Sequence, residues 1–394
     1  MEKQSPAIGE LLAMVSKERA VSLAMELIRR PSDAETGAFI LDFLRRAGIR
    51  AERQDCGEGR FNVVARIPGR AAGRKGLLYI GHTDVVPAGD PSAWRSPPFS
   101  PRLEGGRLYG RGAADMKGGL AAMLHAAELL ARLPAPAREV TMLFDADEEC
   151  QNLGMKRFLQ GTVEGSFAVV GEPTGVQACL GHRGVMAFEA VFSGKSAHAA
   201  RPELGVNAVM QAVSFCRAAG EFGERLAARA VPPLGKGLLT VTAVSGGTQV
   251  NMVPERCAVR LDRRLTAGET PEEAQRQLRQ LLEPFPGASL RATTCCPACL
   301  CPEGLPDAGR LMAAARAGGG EGGAAVFPAT CEAGLFSAQT GIPAAIFGPG
   351  SISQAHQTDE FAYTRELLSA ARAYLLFFSG IGVDAAEGRM ERYV

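Results

Sequence analysis

The chain of 394 residues is longer than one small core needs, and two domains are the natural division. Lysine plus arginine number 43 against 42 for aspartate plus glutamate, a balance that offers no electrostatic case for nucleic acid or an anionic membrane. Hydrophobic content of 46% with 22% charged residues suits a globular enzyme, and nowhere do about 18 apolar residues run together as a membrane-spanning helix requires.

The opening Met1-Glu2-Lys3-Gln4-Ser5-Pro6 leads into an amphipathic pattern without an unbroken apolar core. That predicts no signal peptide and a cytoplasmic location. Apolar positions from Ile8 through Ile28 follow helical spacing, so a helix is expected to run to Pro31. Ser32-Asp33 can cap the next one, which ends near Gly48. Asn62–Ile67 and Gly76–Ile80 read as strands, the second running into Gly81-His82-Thr83-Asp84. His82 and Asp84 are two apart at a strand end and share a face. Two readings fit: a hydrogen-bonded strand-end histidine, or a metal ligand oriented by a carboxylate.

Gly110 to Gly119 leads into a helix from Leu120 to Leu133, and Asp115 at its start serves either as an N-cap or as a metal ligand on a rigid turn. The apolar run Glu139–Phe144 then reads as a buried strand. It ends in Asp145-Ala146-Asp147-Glu148-Glu149, four carboxylates in five positions. Such crowding needs abundant water or a compensating cation. Phe167–Val170 is a further strand, closing on Gly171-Glu172-Pro173-Thr174. Three strands therefore end in metal-compatible residues at the edge where open α/β sheets bind ligands: His82, Glu148-Glu149 and Glu172.

From about residue 181 the order becomes strand, helix, strand, strand, helix, strand, a ferredoxin-like α+β domain inserted over 181–295 between catalytic parts 1–180 and 296–394. Beyond it, Ala344–Phe347 is a strand, and Gly348-Pro349-Gly350-Ser351 a loop expected to offer free backbone amides. Ala355-His356-Gln357-Thr358-Asp359-Glu360 is expected to open the final helix. The cysteine-rich segment Cys295-Cys296-Pro297-Ala298-Cys299-Leu300-Cys301 lacks a second half for a structural zinc site. It reads as a strand of reduced thiols, with a thiolate metal site or redox pair as the alternative.

Taken together, Gly81-His82-Thr83-Asp84, Asp115, the acidic run, Gly171-Glu172-Pro173-Thr174 and Gly348 to Gln357 resemble the di-zinc amidohydrolase and peptidase family of acetylornithine deacetylase, succinyl-diaminopimelate desuccinylase, aminoacylase and carboxypeptidase G. The last segment is similar to the acetylornithine deacetylase branch. The resemblance implies an α/β/α catalytic domain with a mixed sheet, the inserted domain acting in dimerisation and as a lid. It implies two zinc ions, or cobalt, with Asp115 bridging, His82 and Glu172 on one, and Glu149 and His356 on the other. It gives Asp84 the orienting of His82, and Glu148 the role of general base toward the bridging water and then proton donor to the leaving amine. By the same resemblance the bond after Asp115 is cis, and His198 reaches across a homodimer interface to stabilise the oxyanion. Asn251, Arg264, Gly348 and Ser351 fall at substrate positions. The implied substrate is an N-acyl amino acid or dipeptide. In Ala329-Thr330-Cys331-Glu332-Ala333-Gly334 the chain keeps the Glu-Ala of the family loop but not the residues around it as that branch has them, and the cysteine cluster matches no pattern of the family; both bear on the substrate more than on the reaction.

Overall fold

A computed structural model describes residues 7–71 and 73–381; the opening Met1–Pro6, read above for targeting, lies outside them. The chain separates into two compact units, Met1–Gly181 with Leu300–Val394, and His182–Cys299.

The first unit is built on a mixed sheet. Its strands run in the order Arg50–Gly57, Arg60–Ile67, Val140–Asp145, Leu77–His82, Phe167–Val170, Ala344–Ile346 and Ala178–His182. The four from Val140–Asp145 to Ala344–Ile346 are mutually parallel, and the flanking pairings are antiparallel. Leu77–His82, Val140–Asp145 and Phe167–Val170 are buried at every position. That is why they read as unbroken apolar runs and not as alternating ones: parallel strands are covered on both faces. Helices Lys17–Ile28, Lys117–Leu130, Pro306–Gly318 and Thr364–Ser379 pack on one another over this core. Lys117–Leu130 is buried along its whole length. Among the described residues no helix is long and apolar enough to cross a membrane.

Two expectations are corrected. The periodicity from Ile8 to Ile28 predicts one helix, but the chain forms Ile8–Met14 and Lys17–Ile28. Ser16 separates them: its hydroxyl accepts the Arg19 amide as an N-cap, and its own amide donates to His125 Nε2 at 3.0 Å. The segment around His356 is likewise not helical. His356 and Asp359 have φ of 62° and 56°, left-handed values that an α-helix of L-residues does not admit. The chain then forms the strand Phe361–Tyr363 before the helix Thr364–Ser379.

With Nε2 occupied as an acceptor, His125 Nδ1 donates to Glu128 Oε1 at 2.7 Å. Arg19 grips the same carboxylate with two bonds of 2.9 Å. Burial opposes the charge on Glu128, but His125 and Arg19 outweigh it and draw its pKa down to about 2. A depressed folded-state pKa contributes stability that is present above the unfolded value and is lost as pH falls through the folded one. Stability should therefore decline from roughly pH 4.5, near the unfolded glutamate value, toward pH 2. In Glu128→Gln that part of the decline should vanish and neutral-pH stability should drop, as chemical denaturation across pH would read.

The second unit has its own core of Phe188, Phe192, Phe215, Leu261 and Leu278. Its antiparallel sheet runs Leu238–Gly246, Arg256–Leu265, Gly184–Ser193, Ser289–Cys296. Helices Ala208–Ala227 and Pro271–Leu282 join that core, the second capped by Thr270 with Pro271 at its first position. Phe192, Phe215 and Phe285 make mutual edge and tilted ring contacts at 5.3–6.3 Å.

Candidate metal centre

His82 ends the middle one of three neighbouring parallel strands and pairs in register with Asp145 on one side, while Ile80 pairs with Val170 on the other. The continuations of those neighbours carry Glu148-Glu149 and Glu172, so the sheet alone gathers four of the predicted side chains. Asp115 comes from the turn before Lys117–Leu130, and its peptide to Met116 is cis. That turn lies close to the strand end: a Cβ at Gly119 would stand 2.3 Å from the Gly171 carbonyl oxygen, so only glycine fits.

Asp115 offers one oxygen to each of two histidines. Its Oδ1 is 3.1 Å from His82 Nε2, and its Oδ2 is 3.4 Å from His356 Nε2. His82 Nε2 is also 3.8 Å from Glu172 Oε1, and His356 Nε2 is 3.0 Å from Glu149 Oε1. The donor atoms of His82, Asp115 and Glu172 lie within 4.8 Å of one another, and so do those of Asp115, Glu149 and His356. Each set could hold one ion, with Asp115 common to both.

Asp84 does more than back one ring. His82 Nδ1 lies 3.1 Å from the Asp84 main-chain oxygen and 3.6 Å from its carboxylate. The carboxylate accepts the amides of Glu148 and Glu149, each at 3.1 Å. One residue thereby holds both the histidine and the turn that bears the neighbouring glutamates. Asp147, at φ 67°, shapes the same turn by accepting the Gln151 and Leu153 amides.

The charges compensate one another within the cluster. Burial opposes protonation of His82, yet Asp115 and Asp84 outweigh it and raise its pKa well above the usual value. Asp115 and Glu149 raise that of His356 to about 10. Burial raises the pKa of Asp115, but the two histidines more than reverse it and hold the carboxyl well below its ordinary value. Glu148 and Glu172 are pushed up by burial and by neighbouring carboxylates.

Glu360, which sequence reasoning passed over, shapes the Asp115 turn. Fully buried, it accepts the Ala114 and Asp115 amides on Oε1 at 2.8 and 3.0 Å, and the Gly112 amide and Arg111 Nη1 on Oε2 at 3.0 and 2.7 Å. All four partners are donors. Glu360→Gln would set an NH₂ group against donors on one side. We expect it to lower stability by about 1–3 kcal/mol and weaken metal binding roughly 10–100-fold, as denaturation and metal titration would measure.

Of the other predicted positions, His198, Asn251 and Arg264 belong to the second unit, and Gly348 and Ser351 to the first. His198 is exposed in the second unit, and its Nδ1 accepts the Ala200 amide at 3.1 Å. A neutral ring so fixed carries its proton on Nε2, ready to donate. Asn251 is adjacent: its carbonyl accepts the Ala199 amide, and His198 pairs with Met252. Arg264 is half-buried and forked onto Asp262 at 2.8 and 3.2 Å. The loop expected to present free amides is partly committed, since Gly348 N–H donates to Thr174 Oγ1 and Gly350 N–H to Glu366. Ser351 is exposed, with its hydroxyl 2.9 Å from that of Ser353. Cys295, Cys296, Cys299 and Cys301 form no disulfide.

Residues 78–379 match the model of peptidase family M20/M25/M40. The chain belongs to this family. Over 286 residues it is 34% identical to a succinyl-diaminopimelate desuccinylase of Delftia acidovorans, covering 67% of this chain and 73% of the relative. Over 370 residues it is 32% identical to an acetylornithine deacetylase of Myxococcus xanthus, covering 86% and 90%. An M20 family metallo-carboxypeptidase of Sulfolobus solfataricus shares the fold, with a TM-score of 0.75 at 22% identity over 91% of this chain and 98% of that one. Membership in the M20 family makes the chain a metal-dependent hydrolase, in keeping with its two overlapping donor sets.

Proposed function

We propose that this M20 hydrolase cleaves the amide bond of N-acyl amino acids, N-acetylornithine-like substrates first. The observation that carries the reading is Asp115, which presents one oxygen to each of two histidine–glutamate pairs. The donors fit two divalent cations: they are two imidazoles and three carboxylates, with only five residues for two ions. Open coordination positions follow, as catalysis requires. His82 and Glu172 would hold one ion, Glu149 and His356 the other, with Asp115 between them. Zinc or cobalt suits these ligands. Such a pair, when bound, supplies Lewis acidity toward a water and an amide oxygen.

The chain's own groups do the rest. Glu148 belongs to neither donor set, so it is available to take a proton from the attacking water and deliver it to the departing amine. Asp84 keeps its backbone in place through the amide of Glu148 itself. His198 would donate from Nε2 to the developing oxyanion of a partner subunit. Asn251 and Ser351 would contact substrate, as would the Gly348 backbone, through groups other than its committed amide. Arg264 would exchange Asp262 for a substrate carboxylate, where a bidentate pairing is available. A homodimer is supported by exposed Met210 and Val213 on Ala208–Ala227 and by exposed Val244 on Leu238–Gly246, the edge strand of its sheet. We place the enzyme in the cytoplasm, acting on small molecules and not on nucleic acid or membranes.

A second reading, desuccinylase or dipeptidase chemistry at the same residues, is favoured by the desuccinylase relatives. A panel of N-acetyl amino acids, N-succinyl-diaminopimelate and dipeptides, assayed with zinc or cobalt and then with chelator, decides between them. Chelator-sensitive turnover best on an N-acetyl substrate is the expected result. A clear preference for the succinyl or peptide substrate would replace the first reading with the second.

A further inference from the structure

The loop leading into helix Ala333–Thr340 places Cys331 and Glu332 against Glu172, the donor atoms of all three lying within 4.8 Å of one another. Glu332 occupies the N-cap of that helix but makes no capping bond with its side chain. It is 1% exposed, and neither carboxyl oxygen has a hydrogen-bond partner among the described residues. A buried carboxyl left in this way costs several kcal/mol unless something compensates it, and such groups are rare enough to demand a reason. Asp145 is in the same condition: fully buried, with both oxygens lacking a partner. Glu332 thus brings two unpartnered oxygens to the buried Cys331 thiol and to Glu172.

We propose that Glu172, Cys331 and Glu332 form a third cation subsite, which shares Glu172 with His82 and Asp115 and takes a thiophilic divalent ion. One sulfur with two carboxylates favours zinc, cobalt or cadmium over magnesium or calcium. The Cys331 thiol would give up its proton to solvent as the ion binds, the usual fate of a coordinating thiol. The inference rests on the proposed hydrolytic pair only through the shared Glu172.

The full-length protein, stripped with chelator and dialysed, would be titrated with cobalt(II) while bound metal is counted and thiolate-to-cobalt absorption is followed. Three ions per chain are expected, the thiolate band growing with the third. Cys331→Ser should abolish the band. Glu332→Gln should weaken the third equivalent roughly 10–100-fold and leave the first two unchanged, with thermal melting showing that each variant is folded. Saturation at two ions without a thiolate band overturns the proposal. So does a band that grows with the first two equivalents, since Cys331 would then belong to the hydrolytic pair. Should Cys331→Ser not fold, the wild-type count and Glu332→Gln decide alone. Because the readout is metal and not turnover, chelator-insensitive hydrolysis would defeat the functional reading without altering this result.

Discussion

Glu148→Gln should lower kcat by roughly 10²–10⁴-fold, the usual contribution of a positioned general base, and leave the number of bound metal ions unchanged. Glu148 stands outside both donor sets, so the amide that replaces its carboxylate removes proton transfer and not a ligand. The Asp84 contact survives, because it is made to the main-chain amide of residue 148. Steady-state kinetics on the best substrate of the panel, with metal analysis of the same preparation, tests both halves. Turnover that persists in the variant would assign the base elsewhere. Loss of metal together with turnover would make Glu148 a ligand.

Asp115→Ala is expected to be the most damaging single change in the molecule. Each histidine–glutamate pair loses its third donor at once, which leaves His82 with Glu172 and Glu149 with His356. Neither pair alone offers the three protein ligands of a catalytic zinc site. After dialysis the variant should retain less than one ion per chain and hydrolyse nothing above background. Should it keep two ions at wild-type affinity, Asp115 does not bridge. The backbone consequences are separable, because Glu360 binds the amide of residue 115 and not its side chain.

The legible parts of this molecule are those where one signal is local and strong. Strands such as Leu77–His82 and Phe167–Val170 announced themselves as short apolar runs, and their polar terminal residues stood out against them. Glu360 carried no such contrast. Beside Thr358 and Asp359 it reads as one more solvated acid, and only the folded chain shows four donors converging on it. Asp145 and Glu332 were visible as acidic residues, but their lack of partners is a property of packing. The break at Ser16 is hidden in the sequence because apolar periodicity continues through it, while the contact that stabilises the break comes from His125, 109 residues away. Nothing in the neighbours of His356 advertises its left-handed backbone, so the sequence predicts a helix there.

The three parallel strands that meet at His82 act as a ruler. Adjacent strands stand about 4.8 Å apart, close to the separation of roughly 3.5–4 Å at which paired ions cooperate. The spacing of His82 from the segments that carry Glu149 and Glu172 is therefore inherited from backbone pairing in the core, where every position is buried, while Asp115 and His356 are brought in by loops. A lineage built on this sheet can explore new acyl groups and side chains in the loops that carry neither Asp115 nor His356, at little risk to its chemistry.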